Sequence, residues 1–549
     1  MDNNKLSNIL FPQIEKTPAD YEEIFPKRNL PPKAKVTRLG PSPTGFIHLG
    51  NLYGAFVDER LAHQSDGIFY LRIEDTDDKR YVEGAVETII SSLEFFGITF
   101  DEGATMDGHI GDYGPYYQSQ RGEIYQSYIK DLLQKGLAYP CFLTEDEIGE
   151  IRAAQESEKQ NPGIYGKWAV GRNLSLEEIE GNIKAGKPYV IRLKSSGSSD
   201  IENHSSFSIE DGIRGTLTMP ENYQDVVILK ATGIPTYHMA HVVDDHLMRT
   251  THVIRGEEWL SSLPIHIELF DKLGFEPPIY CHTAQLMKLD DGNKRKLSKR
   301  KDPELSLDYY RSEGYLPEAV REYLLTILNS NYEEWRMANP NTTPDDFLFS
   351  AEKMSNSGAL FDLNKLNDVS KDVLVKIPAK DLYIFLTGWA REFNPEILPL
   401  LDGNSDYIEK ILDLGRGGKK PRKDLICGKQ IFQFINYFFD DHFVIEEDYP
   451  ENVSKEDATA ILTNYLASYD HSDDQSQWFD KIRTIGEDLG YAAKPKDFKK
   501  NPDDFKGHVG HVSTVIRIAL VGRSQSPDIW EIQQILGEDR TRSRIKSQI

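Results

Sequence analysis

At 549 residues the chain is too long for one hydrophobic core, and about three or four domains is the natural expectation. Its 39% hydrophobic and 28% charged residues exclude a disordered chain, and no apolar run approaches the roughly 20 residues of a membrane helix. The net charge of −24 argues against a nucleic-acid partner only as a sum, because polyanion binding depends on local positive potential.

Residues 1–34 read as a polar extension without the basic and apolar regions of a signal peptide. Within it, Thr17 and Pro18 of "TPADYEE" mark a helix start. From Lys35 the pattern changes. "AKVTRL" predicts a strand, the loop "GPSPTG" follows, and Leu49, Leu52, Phe56 and Leu61 mark one face of a helix beginning at about His48. "GIFYLRIED" (67–75) then predicts a second strand ending in acid. A strand–helix–strand unit of this length suits a parallel pair in a doubly wound sheet, whose ligands sit beyond the carboxyl ends of the strands. Arg38 and Glu74 lie at two such ends.

The stretch 121–136 predicts a helix, and the Ser-rich "KSSGSSDIENHSS" (194–206) a surface loop. "DVVIL" (225–229) and "THVIR" (251–255) predict strands by which the first sheet resumes after a long insertion. Beyond about Lys376 the pattern is almost wholly helical. Cys141, Cys281 and Cys427 are far apart with no metal-ligand spacing, which points to a reducing, cytoplasmic setting.

Two stretches carry chemistry. In "RLGPSPTGFIHLGN" (38–51) the prolines stiffen the chain and Gly45 lets it turn into the helix. A helix amino terminus suits an anionic phosphate, His48 can donate to a phosphate oxygen, and Gly50 allows close approach. In "KLSKR" (296–300) Lys296 and Lys299 bracket Ser298, after the turn-prone "DDGN". A lysine loop closing over a triphosphate can stabilise charge on departing pyrophosphate. Either motif alone is also what a strand-to-helix turn or a solvated basic loop looks like.

Taken as a pair, with "RIEDTD", "GPYYQSQR", "DVVILKATGIPTYHMAHVVDDHLM", "VIRGEEWLSSLPIH" and a fainter "IRIALVGRSQSP", the two motifs are far more specific. The sequence resembles the class I aminoacyl-tRNA synthetases, and within them the bacterial-type glutamyl-tRNA synthetases, over residues 35 to 540. The resemblance implies an α/β fold: a Rossmann-like, doubly wound parallel-sheet catalytic domain, an inserted acceptor-stem domain and a mostly α-helical C-terminal anticodon-binding region. The corresponding segments are the extension 1–34, the catalytic halves 35–113 and 225–285, the insertion 114–224, a stem-contact region with the lysine loop 286–375, and the helical region 376–549.

The activity it implies is ATP-dependent formation of glutamyl-adenylate, then transfer to the 3′-terminal adenosine of tRNA-Glu, with tRNA-Gln a further acceptor left open. The implied site residues are Arg38, Ser42, Glu74, Tyr237, His241 and Arg255 for glutamate, and Gly50, Asn51, Glu258, Trp259, Ser298 and Lys299 for ATP. His48, Lys296 and Lys299 would act on the phosphates. ATP and Mg2+ are expected, and a monomer without a membrane partner. Some relatives hold zinc in the insertion through Cys-x-Cys; here Cys141 is followed by Leu143 at the second position, so no zinc and no protein-bound metal is expected. Asn51 replaces the last histidine of the class I loop motif, and His241 stands where some relatives carry asparagine.

The basic clusters at Lys419–Lys423, Lys494–Lys500 and Arg540–Lys546 then have an RNA partner to explain them. A glutaminyl-tRNA synthetase and a tRNA-modifying glutamyl-queuosine enzyme share the core, but the "PSPTG" loop disfavours the first and the long helical tail disfavours both. A non-catalytic RNA-binding paralogue would have lost the histidine or the lysines, which are intact. A small-molecule nucleotidyltransferase leaves the basic tail without a purpose.

Overall fold

The computed structural model describes all residues except 1, 46, 78–81, 201–202 and 418–419. The chain forms two compact units, Met1–Asp308 with Leu324–Asp362, and Tyr309–Tyr323 with Leu363–Ile549. Phe46 of the Gly/Pro/His loop and Lys419 of the first tail cluster lie outside the described residues.

In the first unit, Val36–Leu39 is buried along its whole length, as a strand covered on both faces must be. It pairs in parallel with Ile68–Leu71, Val36 opposite Ile68 and Leu39 opposite Leu71, and the helix Leu49–His63 connects them. Ile68–Leu71 pairs in turn with Glu102–Thr105. Beside this sheet, His252–Gly256 runs parallel to Ile279–Thr283. The Val36 amide donates to Thr251 Oγ1 at 2.8 Å, and Thr251 N–H to the Val36 carbonyl at 2.9 Å, so the two sheets lie edge to edge. Farther along, Arg38 donates to the Ile254 carbonyl at 3.4 Å, which sets both strands running the same way and brings Leu39 and Gly256 to one crevice.

Two strands depart from expectation. Val227–Leu229 of "DVVIL" does not resume the catalytic sheet; it pairs antiparallel with Val190–Leu193, which pairs with Ala138–Cys141. Conversely, Ser206–Asp211 extends the catalytic sheet by touching Ile279–Thr283 at Asp211 and Tyr280. A short apolar run identifies a strand but not its neighbour, since any apolar edge satisfies it. The insertion's sheet is tied by the buried Asp225, which accepts from Tyr139 Oη and Arg172 Nε, both at 2.6 Å, and from the Ser195 amide at 2.9 Å.

The polar extension is part of this unit. Its helices Asn3–Leu10 and Pro18–Ile24 bury Leu6, Leu10 and Tyr21, and both pack on Gly122–Gln134. Pro18 opens the second helix, and the Asp20 carboxylate reaches back to the Thr17 amide at 2.7 Å, closing its first turn. Arg28 grips Glu102 through two bonds of 2.7 and 2.9 Å, and the Glu22 carboxylate accepts from Arg249 at 2.7 Å.

Among its described residues the second unit is helical apart from loops, turns and an isolated parallel bridge between Ala492 and His508. Leu382, Leu386, Trp389 and Ala390 form one buried stripe of the helix Ala379–Phe393, the spacing that puts a single face against a core. Ile461, Leu462, Ile482, Val512 and Ile516 supply facing helices. Gly522 ends the helix Val509–Val521 at φ +80°, and a Cβ there would stand 2.0 Å from the Val444 carbonyl oxygen, so only glycine fits. The basic clusters differ in what they face. In the cluster at 540–546, Arg540 and Arg544 both pair with Asp440 and tie the helix Glu538–Ser547 to the turn at 440–442, while Arg542 pairs with Glu538 one turn back on its own helix. The lysines at 494–500 are exposed on and beside the helix Pro495–Lys500.

Candidate active site

The crevice is a cavity of about 350 Å³. Arg38, His48, Gly50, Asn51, Glu74, Tyr237, Arg255, Glu258, Trp259 and Lys296 line it, from positions spread over most of the first unit's chain. Ser42, His241, Ser298 and Lys299 are not among the lining residues.

One wall is the end of strand Val36–Leu39 and the start of helix Leu49–His63. His48 is the N-cap residue, and its amide donates to the Asn51 Oδ1 at 3.0 Å. Asn51 therefore closes the first helical turn, which gives the residue a local purpose besides facing the cavity. Burial, and then the charge of Lys296, lower the His48 pKa against an opposing pull from Glu258. The ring is neutral near pH 7 and keeps one N–H donor.

The opposite wall carries the lysine motif. Leu286–Asp290 and Asn293–Lys296 form a β-hairpin closed by Asp291 and Gly292, whose φ values of 48° and 80° are those of a tight two-residue turn. Lys296 ends the second strand. Arg295 binds Asp302 through bonds of 2.6 and 2.8 Å, and Asp302 accepts the Ser298 amide at 2.8 Å. Ser298 thus helps to shape the loop, with Lys299 exposed beside it.

The floor is a charge cluster. Asp245, fully buried, accepts from Arg38 Nε at 3.2 Å and Arg72 Nη1 at 2.7 Å, and lies 2.8 Å from His241 Nδ1. Burial pushes the Asp245 carboxyl up, but Arg38, Arg72 and His241 outweigh it and hold it well below the usual carboxylate range. Arg72 also binds Glu74 Oε1 at 3.0 Å. Burial nonetheless leaves the Glu74 pKa above its ordinary value, with Arg72 and Arg38 only partly compensating. Gly40 makes room for this carboxylate: a Cβ there would stand 2.5 Å from Glu74 Oε1.

Arg255 differs from Arg38. Its Nε donates to His282 Nε2 at 2.9 Å and its Nη1 to His266 Nδ1 at 3.0 Å, while Nη2 is buried with no acceptor among the described residues. The Tyr280 ring lies 4.4 Å from the guanidinium carbon. No carboxylate is among its hydrogen-bond partners among the described residues.

His241 lies outside the cavity lining. It is fully buried behind Tyr237, whose ring stacks on it at 5.5 Å and 10°, and its Nε2 meets Tyr280 Oη at 3.0 Å. The residue packs behind the Tyr237 ring of the cavity wall. Tyr237 in turn meets Trp259 at 4.5 Å, so these two rings form the aromatic side of the site. Arg72, Asp245, His266 and His282 were missed from sequence. Arg72 and Asp245 stood inside "RIEDTD" and "HVVDDHLM", where charges inside apolar runs were the available signal. The adjacent Asp244 serves the neighbouring wall, accepting from Arg121 Nε at 2.7 Å and Gln118 Nε2 at 2.9 Å of "GPYYQSQR".

Residues 35–368 match the family of class I tRNA synthetases (E and Q), catalytic domain, and residues 392–549 match an anticodon binding domain. The glutamate–tRNA ligase of Acetivibrio thermocellus is 64% identical over 547 residues, covering 100% of both chains. The chain belongs to the class I glutamate–tRNA ligases. The glutamate–tRNA ligase of Clostridium perfringens (strain 13 / Type A) is 48% identical over 99% of this chain and 100% of its own. A crystal structure of the ligase from Elizabethkingia meningosepticum in complex with its amino acid is 28% identical, with a TM-score of 0.73, covering 94% of this chain and 99% of that one. His48, Gly50 and Asn51 of the first motif and Lys296 of the second face the same cavity. Among the described residues no helix is long and apolar enough to cross a membrane.

Proposed function

We propose that the chain activates L-glutamate with ATP, releasing pyrophosphate, and transfers the glutamyl group to the 3′-terminal adenosine of tRNA-Glu. The observation that carries this reading is Arg255, a buried guanidinium in the cavity with one edge unpartnered and no carboxylate bonded to it. A buried cation left in this state is complementary to a substrate carboxylate. Arg38 would hold the second carboxylate and Glu74 the α-ammonium, with Tyr237 beside them. Ser42, which is not on the cavity wall, would join only through closure of its loop.

The substrate carboxylate itself attacks the α-phosphorus, so the protein's task is placement and charge stabilisation. Neutral His48 would donate to a phosphate oxygen, Gly50 would allow close approach, and Trp259 and Glu258 would flank the nucleoside. Lys296 and Lys299 would neutralise the pyrophosphate as it leaves. Mg2+ would arrive on the ATP phosphates. The helical unit would read the anticodon, as its match to an anticodon binding domain suggests.

The test is aminoacylation with glutamate on separate tRNA-Glu and tRNA-Gln. Charging of tRNA-Glu is expected, and charging of neither would overturn the reading. Charging of both would extend it to a non-discriminating enzyme.

A further inference from the structure

Arg255 sits at the centre of a histidine cluster, and hydrogen-bond direction dictates the state of its partners. A guanidinium can only donate. His282 Nε2, 2.9 Å from Arg255 Nε, must therefore carry a lone pair, which puts the His282 proton on Nδ1, facing Asp211 Oδ2 at 2.6 Å. His266 Nδ1, 3.0 Å from Arg255 Nη1, must also accept. Its proton is then on Nε2, donating to His238 Nδ1 at 2.9 Å. The chain of bonds runs Asp211, His282, Arg255, His266, His238.

Asp211 is itself anchored, accepting the Ile213 and Arg214 amides at 3.0 and 2.9 Å. On the other side His241 separates His266 from Asp245, meeting the His266 ring edge-on at 4.6 Å and lying 2.8 Å from the Asp245 carboxylate. Asp211 thus stands one imidazole away from Arg255, and Asp245 stands two away, behind His241 and His266. Burial keeps these rings neutral, lowering His238 to about 4, His241 to about 3, and His266 and His282 below the ordinary histidine value.

Resting on the reading of Arg255 as a carboxylate-binding residue, we propose that His266 and His282 are positioning residues for glutamate specificity, holding the Arg255 guanidinium through uncharged acceptors so that it is immobilised but not neutralised. An acidic residue in either place would hold Arg255 equally well and cancel the charge the substrate must find. A glutamine amide cannot pair the cation, so an unneutralised Arg255 favours glutamate over glutamine.

Isosteric pairs test this. Asparagine presents its oxygen where His266 presents Nδ1, and aspartate differs from it by charge alone; glutamine and glutamate do the same for His282 Nε2. His266→Asn and His282→Gln are expected to keep the glutamate KM within about threefold of wild type, one neutral hydrogen bond replacing another. His266→Asp and His282→Glu are expected to raise it about 10- to 100-fold, the loss of a charge-assisted bond. The ATP KM should not change, and glutamine should become a relatively better inhibitor. Equal effects of the neutral and acidic members of each pair would overturn the proposal, and either pair alone decides it where one variant does not fold. Arg255→Ala is run alongside. An unchanged glutamate KM in that variant overturns the underlying site reading, whereas a raised KM with no charge dependence at positions 266 and 282 overturns only the role of the histidines.

Discussion

Arg38 and Arg255 are both buried at the floor of one cavity, yet their neighbours give them different characters. Arg38 shares Asp245 with Arg72, so the carboxylate offsets two cations at once. Asp245→Asn leaves Arg38 and Arg72 without it and is expected to cost about 3–5 kcal/mol, the usual penalty for breaking one side of a buried ion pair, measured by denaturant unfolding. Asp58, fully buried on the helix Leu49–His63, behaves in the opposite way. Burial raises its pKa well above the ordinary value, and Arg38 only partly compensates. A carboxyl that binds its proton more tightly folded than unfolded loses stability as pH rises above the unfolded value. Asp58→Asn cannot ionise, so it is expected to melt higher than wild type near neutral pH, with the advantage fading toward about pH 4. Melting curves across that range would refute this if the difference were independent of pH.

Elements bring these residues together through short-range rules. The strand Val36–Leu39 ends one residue before Gly40, whose missing Cβ admits Glu74 from the neighbouring strand's end. Gly40→Ala is expected to push the Glu74 carboxylate aside and raise the glutamate KM about tenfold, as lost hydrogen bonding to a charged group does, with little change for ATP. Steady-state kinetics with each substrate varied in turn checks it. In the helical unit, Ser454 caps Lys455–Ser468 by accepting the Asp457 amide at 3.0 Å. Ser454→Ala is expected to cost about 1 kcal/mol in unfolding experiments and to leave glutamate activation unaffected. The strand at Val227–Leu229 shows where element-level reasoning stops: its composition identifies a strand, but Ile191 and Leu229 meet only because the insertion folds back on itself.

For the whole molecule, the charge of −24 coexists with lysines gathered at 296–301 and 494–500. If the exposed lysines at 494–500 meet RNA phosphates, the tRNA KM should rise steeply with salt while ATP–pyrophosphate exchange responds less, since counterion release scales with the phosphates contacted. Equal salt sensitivity of both assays would refute an RNA role for that cluster. Lys299→Ala is expected to slow glutamate activation by roughly 10²-fold, the scale of one lost charge-stabilising donor, while tRNA binding persists. Pyrophosphate exchange and a tRNA filter-binding assay separate the two effects.

The sequence by itself determined whatever depends on near neighbours. The strand–helix–strand unit, the helix start at His48, the capped helix after Thr17 and the helical tail follow from side-chain periodicity and backbone preference within a few residues. The Gly/Pro/His loop and the lysine loop were legible for the same reason, each being a local turn with its own residue pattern. Only the tertiary structure decided which distant groups share a hydrogen bond. It placed His241 behind Tyr237, directed the arginines of 540–546 into ion pairs, and joined residues 211, 238, 255, 266 and 282 in one network. A histidine in a sequence carries no mark of its tautomer or partner, because both are set by burial and by the one atom it comes to face.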